Sequence, residues 1–330
     1  MMRLPPFRYL APASVGEAVA MLEGEGPEAS VVAGGTDLYP NMKRRHQTPK
    51  TLVALRRVKG LRGTAAGEGG ALRIGSATTL VALERDRAFA ARFPALHEAV
   101  CSISTPLLRA MGTIGGNVLL DTRCNYYDQN YEWRRAIDFC LKCDGDTCWV
   151  APGSDHCWAV QSSDTAPVLV ALGASVRLVS PRGERTLPVE RLYLEDGIRW
   201  LDKAPDEVVT ELVVPDAAGA RTHYGKLRRR GSFDFPVLGV ATAVRFDGDR
   251  VASARIVLGA VASARVRATA AEAFLAGKRL DDETVRQAAE IAWKPAKPLD
   301  NTDFENAWRK KMVKVYVRRG LEAVRAPVRS

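Results

Sequence analysis

Apolar residues in the first third of the chain recur with the periods of helices and strands. Ser14–Leu22 places apolar side chains at helical spacing behind a serine that can cap the first turn together with Glu17, which predicts a helix. Glu28–Ala33 is a short apolar run that ends in two glycines and predicts a strand. The patterns of Thr79–Arg92 and Pro94–Ser102 each predict a helix. This part of the chain therefore mixes strands with helices.

The pattern of apolar and polar residues changes near Ala217, and the remaining chain is predicted to combine a hairpin with helices. Ala241–Phe246 and Arg250–Leu258 alternate like strands around Asp-Gly-Asp, which predicts a β-hairpin. Helical patterns follow in three segments, Ala268–Leu275, Asp281–Ala292 and Asn301–Val324.

Residues 121–160 show no sustained periodicity and are expected to form an inserted loop. A structureless stretch of this length inside a compact domain is unusual unless it is functional. Five of the six cysteines lie between Cys124 and Cys157. In a chain of this size without a secretion signal, such a local group indicates a metal or redox site rather than a disulfide scaffold. Cys101 lies in an apolar helical stretch and is expected to be a buried core cysteine.

Composition and charge narrow the function classes. With 46% hydrophobic and 26% charged residues, the 330-residue chain is typical of a globular protein. Its formal net charge is +10, but the basic residues are spread and accompany no nucleic-acid motif, so an acidic partner or a polyanionic substrate fits better than nucleic acid. The longest apolar run, 166–174, is shorter than the roughly 20 residues of a spanning helix. We therefore expect no membrane insertion and a cytoplasmic location.

Two glycine pairs sit in apolar surroundings, in Val31–Leu38 (VVAGGTDL) and Met111–Val118 (MGTIGGNV). Glycines let a backbone approach a bulky anion, and successive N–H groups can hold a phosphate. Either loop alone is equally compatible with an ordinary turn, and we expect Thr113–Leu120 to be a strand or turn. Neither fits G-x-G-x-x-G, so a Rossmann fold is not supported. Two such loops together suggest a diphosphate held from two sides.

The ordered set of motifs resembles the flavoprotein subunits of the molybdenum hydroxylase family, which includes xanthine dehydrogenase and CO dehydrogenase. The matching pieces run nearly the whole chain in the order FRYLAPASVGEAVAML, VVAGGTDL, IGSATTL, MGTIGGNV, SSDTAPVLVALGA, EVVTELVVP and YGKLRRRGSFDFPVLGVA. The resemblance implies an α+β fold with a two-lobed FAD-binding domain of the PCMH/molybdopterin-dehydrogenase type and a CO-dehydrogenase-flavoprotein-like C-terminal α+β domain. The implied FAD-binding subdomains are residues 1–58 and 59–216, with the Cys-rich insert at 121–160, and the C-terminal domain is 217–330.

The resemblance also implies roles for individual residues toward FAD. Both glycine loops would wrap the pyrophosphate, through Val31, Val32, Ala33, Gly34, Gly35, Thr36, Asp37, Leu38, Thr113, Ile114, Gly115, Gly116 and Asn117. Ile103 would lie near the flavin nucleotide and Val209 would pack on the ring system. Asp164 would bind a ribityl or ribose hydroxyl, and Lys226 would sit near the pyrimidine edge, where a cation stabilises the reduced ring. Without the resemblance, Asp164 reads as a helix N-cap and Lys226 as a solvated strand lysine.

The cysteines of the insert admit more than one metal. Thiolates suit zinc or an iron–sulfur cluster, and only Cys140 and Cys143 form the C-x2-C pair that structural zinc favours. The insert resembles that of the flavin subunits of 4-hydroxybenzoyl-CoA reductases, which implies a [4Fe–4S] cluster held by Cys124, Cys140, Cys148 and Cys157. Cys143 departs from that pattern and could replace Cys140 or Cys148.

The implied function is that of an FAD- and [4Fe–4S]-carrying electron-transfer subunit. Its implied partners are a large molybdenum-cofactor subunit, a small subunit with two [2Fe–2S] clusters and ferredoxin as donor, in a dimer of heterotrimers. The implied reaction is the dehydroxylation of 4-hydroxybenzoyl-CoA to benzoyl-CoA. The alternatives are a related enzyme acting on another aromatic or heterocyclic substrate, a stand-alone FAD oxidoreductase with a zinc loop, and a non-enzymatic metal-binding adaptor.

Overall fold

The chain begins with a small parallel sheet. The computed structural model describes residues 3–325, and residues 1–2 and 326–330, which belong to the first and last predicted domains, lie outside it. The sheet has the order β1-β3-β2 with both pairs parallel. Its elements are β1 (Arg8–Leu10), α1 (Val15–Glu25), β2 (Ala29–Val32), α2 (Leu38–Lys43) and β3 (Thr51–Ala54).

The first predicted helix is confirmed as α1. The Ser14 side chain accepts a hydrogen bond from the Glu17 N–H, and the Glu17 carboxylate accepts one from the Ala13 N–H. These side chains satisfy N–H groups that the first helical turn would leave open. Ala18 and Leu22 are buried on the face that packs against the sheet.

A second, antiparallel sheet has the strand order β4-β5-β8-β6-β7. Its strands are β4 (Thr64–Ala66), β5 (Leu72–Gly75), β6 (Ser175–Ser180), β7 (Gly183–Pro188) and β8 (Val208–Val214). The helices of this region are α3 (Leu80–Arg85), α4 (Arg87–Arg92), α5 (Pro94–Ser102), α6 (Pro106–Arg109), α7 (Ile114–Val118), α9 (Thr165–Ala171) and α10 (Val189–Leu192). Sheet and helices share the largest core, with Phe93, Leu96 and Leu169 almost fully buried.

Two element predictions in this region need correction. The single helix expected over Thr79–Arg92 is divided into α3 and α4, because the Asp86 side chain accepts from the Phe89 N–H and starts a new helix there. The strand or turn expected at Thr113–Leu120 is instead the short helix α7, because the Thr113 side chain accepts from the Gly116 N–H and caps it. The two glycines lower helix propensity, and the cap offsets that cost.

The insert connects α7 to α9 and contains one helix, α8 (Tyr131–Ala136). Its ends pair with each other through an antiparallel bridge between Arg123 and Val160. The side chain of Arg134 is fully buried, and its guanidinium donates to the carbonyl oxygens of Arg44 and Arg45 at 3.5 and 3.3 Å. The expected loop is therefore a packed segment anchored on the end of α2.

The C-terminal part is an antiparallel sheet covered by helices. The strands are β9 (Ala220–Leu227), β10 (Leu238–Asp247), β11 (Arg250–Gly259) and β12 (Val266–Arg267), in the order β12-β11-β10-β9. The helices are α11 (Thr269–Leu275), α12 (Asp282–Ala292) and α13 (Asn306–Val324). The predicted β10–β11 hairpin is confirmed. Val313, Val317 and Leu321, four residues apart, bury one face of α13 in this core.

No helix within residues 3–325 is both long and apolar enough to cross a bilayer.

Candidate functional site

A cavity of about 1150 Å³ lies where the two glycine loops meet. Its wall is completed by Leu194 and residues 198–205, which precede β8, and by Arg230 and residues 233–235, which follow β9. Most of the predicted cofactor residues line it, namely Val31, Val32, Ala33, Gly34, Gly35, Thr36, Asp37, Leu38, Ile103, Thr113, Gly115, Gly116, Asn117, Asp164 and Val209. The structure thus brings both loops to a single site.

The first loop requires its glycines for two separate reasons. A Cβ on Gly34 would overlap the backbone carbonyl of Met111, so only glycine lets the first loop contact the segment before α7. Gly35 has φ +69°, in the left-handed region, and a Cβ there would overlap the ring of Tyr39. The close approach of these loops closes one end of the cavity.

The second loop is tied to the start of α9 by one amide. A Cβ on Gly115 would lie 2.6 Å from the carbonyl oxygen of Ser76, so that position also excludes a side chain. The Asn117 Oδ1 accepts from the Ser163 hydroxyl at 2.9 Å, and from the Thr165 hydroxyl and N–H at 2.7 and 3.2 Å. Ile114 differs from the other predicted residues, because its side chain is fully buried in the core rather than at the cavity.

Asp164 lies at the cavity wall, and its carboxylate is hydrogen-bonded to side chains that do not line the cavity. Its Oδ2 accepts from the Lys226 ammonium at 3.0 Å and its Oδ1 from the Tyr224 hydroxyl at 2.9 Å. Lys226 also donates to the Ser102 carbonyl at 3.0 Å. Burial raises the pKa of Asp164 and lowers the pKa of Lys226, while the attraction between them opposes both shifts.

These contacts test the two simpler interpretations, in which Asp164 is a helix N-cap and Lys226 is a solvated strand lysine. Asp164 occupies the N-cap position of α9, but its side chain makes no capping hydrogen bond. The Lys226 side chain is only 5% exposed, so it is not a solvated strand lysine. Lys226 does not line the cavity and faces it through Asp164.

Arg123 and Phe235, which no sequence motif identifies, meet the predicted residue Asp37 at the cavity wall. Arg123 lies 3.3 Å from Asp37 and its guanidinium carbon lies 3.9 Å from the centre of the Phe235 ring. Burial raises the pKa of Asp37 to about 6, and Arg123 opposes the shift. Arg123 stands in the insert and Phe235 beyond β9, so no local pattern links them.

The loop at 194–205 is a second part of the site without a sequence signal. Its Trp200 lines the cavity, and the indole N–H is buried without an acceptor in the described part of the chain. Lys203 also lines the cavity, and burial lowers its pKa to about 8. The open indole donor is consistent with a polar ligand in this space.

The four predicted metal ligands of the insert are all buried, and three of them lie in one cluster. Cys124, Cys140 and Cys157 share one cluster with Tyr127 and Ala159. The thiols of Cys140 and Cys157 raise the pKa of Cys124, and Cys148 raises that of Cys157, although burial is the larger cause in both. The Cys157 sulfur accepts from the Ala159 N–H at 3.4 Å. All six cysteines are free of disulfides.

The fifth cysteine of the insert, Cys143, is partly buried against this cluster. The Cys143 thiol donates to the Asp144 carboxylate at 3.2 Å, and the residue is only half-buried. Cys101, expected in the core, is also half-buried, with its sulfur 3.5 Å from the His97 ring. Among residues 3–325 no three His, Cys, Asp or Glu side chains are arranged to hold a metal ion.

Comparison with known proteins agrees with this geometry. The family described as the FAD binding domain in molybdopterin dehydrogenase matches residues 5–217, and the CO dehydrogenase flavoprotein C-terminal domain matches 222–324. The carbon monoxide dehydrogenase medium chain of Hydrogenophaga pseudoflava is 32% identical, with 97% of each chain covered. The xanthine dehydrogenase FAD-binding subunit of Escherichia coli O157:H7 is 25% identical, with 96% of each covered.

A solved structure shows the same architecture over the full length. The carbon monoxide dehydrogenase from Hydrogenophaga pseudoflava that lacks the Mo-pyranopterin moiety contains a chain that superposes with a TM-score of 0.80 at 32% identity, covering 98% of both chains. The predicted two-part α+β fold is thereby confirmed.

Proposed function

Since the chain belongs to the family of FAD-binding subunits of molybdopterin dehydrogenases, we propose that it binds FAD in the cavity between its glycine loops and transfers electrons within a molybdenum enzyme. The observation that carries this proposal is the contact of Gly34 with the Met111 backbone, which joins the two loops at one end of an approximately 1150 Å³ cavity. That space is large enough for a cofactor-sized ligand.

The side chains and backbone of the cavity suit the two ends of FAD. Both glycine pairs line the cavity, and backbone N–H groups of such turns can hold a pyrophosphate. Asp164, held by Lys226, offers a carboxylate to a hydroxyl, and the Trp200 N–H offers a donor. Bound flavin would supply exchange of both one and two electrons.

We further propose that the insert holds a [4Fe–4S] cluster on Cys124, Cys140, Cys148 and Cys157. Support comes from the donor set, because the segment holds four buried thiols, three of them in one cluster, and its fifth cysteine donates to Asp144. The N–H of Ala159 points at the Cys157 sulfur, as expected for a thiolate that must carry negative charge. Whether Cys143 substitutes for one ligand is part of the same test.

The proposals for partners and substrate are based on the family and not on residues of this chain. We propose a large molybdenum subunit and a small iron–sulfur subunit as partners, a dimer of such trimers, ferredoxin as donor and a cytoplasmic location. The named relatives act, by their names, on carbon monoxide and xanthine, which gives no support to 4-hydroxybenzoyl-CoA. We therefore favour a related enzyme acting on another substrate, which can be aromatic or heterocyclic, over the 4-hydroxybenzoyl-CoA reductase itself.

Anaerobic purification of the chain with its co-purifying subunits tests these proposals together. We expect one FAD and about four iron atoms assigned to this chain, as a [4Fe–4S] cluster requires. A complex without FAD would contradict the main proposal. Zinc in place of iron would contradict the cluster and leave the FAD proposal standing. A chain that binds FAD and oxidises substrates without partner subunits would favour the stand-alone oxidoreductase.

A further inference from the structure

Lys142 is a buried lysine between the cysteines of the insert and the FAD cavity. Its side chain is 6% exposed, although it lies in the turn between Cys140 and Cys143. The ammonium donates to Asp121 Oδ1 at 2.9 Å, to the Thr122 hydroxyl at 2.8 Å and to the Gly197 carbonyl at 2.6 Å. All three N–H groups of the ammonium are therefore used. They join the turn that carries Lys142 to two other segments, Asp121–Thr122 and Gly197.

Two aromatic rings enclose the same ammonium. The nitrogen lies 4.9 Å from the centre of the Tyr127 ring and 4.8 Å from that of Trp200. These distances are within the range of cation–π attraction, which is stronger when the cation is removed from water. The Asp121 carboxylate, the hydroxyl and carbonyl oxygens of Thr122 and Gly197, and the two rings together fix the end of the Lys142 side chain in place.

The charge faces the cysteines on one side and the cavity on the other. On the cysteine side, Lys142 stands in the turn between Cys140 and Cys143, and its acceptor Gly197 also donates its N–H to the Cys157 carbonyl. On the cavity side, its partners Asp121 and Trp200 are wall residues.

The wall between the two sites is thin at Gly197. A Cβ on Gly197 would lie 2.6 Å from the Cys157 sulfur, and the Gly197 N–H donates to the Cys157 carbonyl at 2.7 Å. The next residue, Ile198, already lines the cavity. Lys142 holds this strip of backbone through the Gly197 carbonyl.

We propose that Lys142 is a positioning residue whose fixed positive charge, shared between the cysteine cluster and the FAD cavity, holds the wall at Gly197 and favours the reduced form of both cofactors. The inference rests on the proposed function, since it concerns groups bound at these two sites. Reduction adds negative charge, so a cation nearby in a medium of low dielectric constant stabilises the reduced state. Loss of Lys142 would also leave Asp121 as an uncompensated carboxylate at the cavity wall.

The test compares reduction potentials in the intact complex, followed by visible absorbance for the flavin and by electron paramagnetic resonance for the cluster. Lys142→Met is expected to move both potentials to more negative values, whereas Lys142→Arg keeps the charge and the wild-type values. Lys314→Met is the matched control, because Lys314 lies 3.9 Å from the centre of the Trp293 ring, away from both sites. It should change neither potential.

A double variant separates the charge effect from damage to the fold. Lys142→Met with Asp121→Asn removes both charges, and we expect the flavin potential to return toward the wild-type value while the cluster potential stays low. Unchanged potentials in Lys142→Met with full FAD and iron would overturn the inference. Absence of a [4Fe–4S] signal from the wild-type complex would instead reject the proposed cluster, and the flavin potential would still test the role of Lys142.

Discussion

The backbone carbonyl of Met111 occupies the space that a Cβ on Gly34 would need. The first glycine loop therefore touches the segment that leads into the second, and neither can move away without opening the cavity. The two loops act as one site because of this contact, although 76 residues lie between Gly34 and Met111 in the sequence.

Gly34→Ala should weaken FAD binding. The added methyl group has to displace backbone, since its neighbour is a carbonyl and not a flexible side chain. Overpacking of this kind costs about 1–3 kcal/mol, which corresponds to a loss of roughly 5- to 100-fold in affinity if it falls on the bound state. The measurement is a flavin fluorescence titration.

Gly24→Ala provides the matched control for that variant. Gly24 lies within α1 with no atom near its added Cβ, so alanine there should leave FAD affinity unchanged and slightly raise helix stability. Equal affinities for both variants and the wild type would contradict the role given to the Gly34 contact.

Cys124→Ser should lower the iron content, whereas Cys143→Ser should not. Cys124 is buried among the other predicted ligands, while the Cys143 thiol bonds to Asp144. Serine keeps the size of each side chain but supplies a poor ligand for iron. Iron and sulfide analysis after anaerobic purification, together with the spectrum of the cluster, distinguishes the two. Iron loss only in Cys143→Ser would show that Cys143 is the ligand.

Asn117→Ala should destabilise the chain and release FAD. The substitution leaves two hydroxyls and one N–H without their buried acceptor at the start of α9. Unsatisfied buried groups cost about 1–3 kcal/mol each before relaxation. Asn130→Ala is the comparison, since Asn130 only caps α8 through the Trp133 N–H and should cost about 1 kcal/mol without loss of FAD. Thermal unfolding with flavin quantification measures both.

Asp37 should make the stability of the flavin-stripped chain depend on pH. Burial raises its pKa to about 6 from 3.8, so the folded state binds the proton more tightly than the unfolded state. The free energy of unfolding therefore falls as pH rises from about 4 to about 6. Asp37→Asn should flatten this dependence, by roughly 1–3 kcal/mol between the ends of the range. Urea unfolding at pH 4.5 and 7 measures the free energy of unfolding of both proteins. The same change with pH in Asp37→Asn and in the wild type would contradict the assignment.

Local chemistry explains which parts of the site could be predicted from the sequence. The glycine pair at 34 and 35 stands out in the sequence, and the structure explains it by a backbone contact at Gly34 and a positive φ at Gly35. Lys226 and Asp164 were identified only through family resemblance, because nothing local shows that Lys226 is buried against the start of α9. The four cysteine ligands of the insert were likewise identified only through a resemblance, and they stay a prediction.

The missed residues come together only through tertiary packing. Arg123, Phe235 and Trp200 belong to the insert, to the segment after β9 and to the loop before β8, and each reads as an ordinary loop residue. Helix α7 was missed for another reason, because its glycine pair disfavours a helix and the Thr113 cap restores it. Propensity alone gives the wrong answer where a cap outweighs it.

The bridge between Arg123 and Val160 means that the insert leaves and re-enters the host fold at one place. A chain in which residues 124–159 were replaced by a tight two-residue turn would keep the same neighbours on both sides of the junction. The same replacement would remove Lys142, which donates to the Gly197 carbonyl and lies over the ring of Trp200 at the cavity wall. The insert can therefore be lost only together with part of the support of the cavity, so that the two are expected to evolve as one unit.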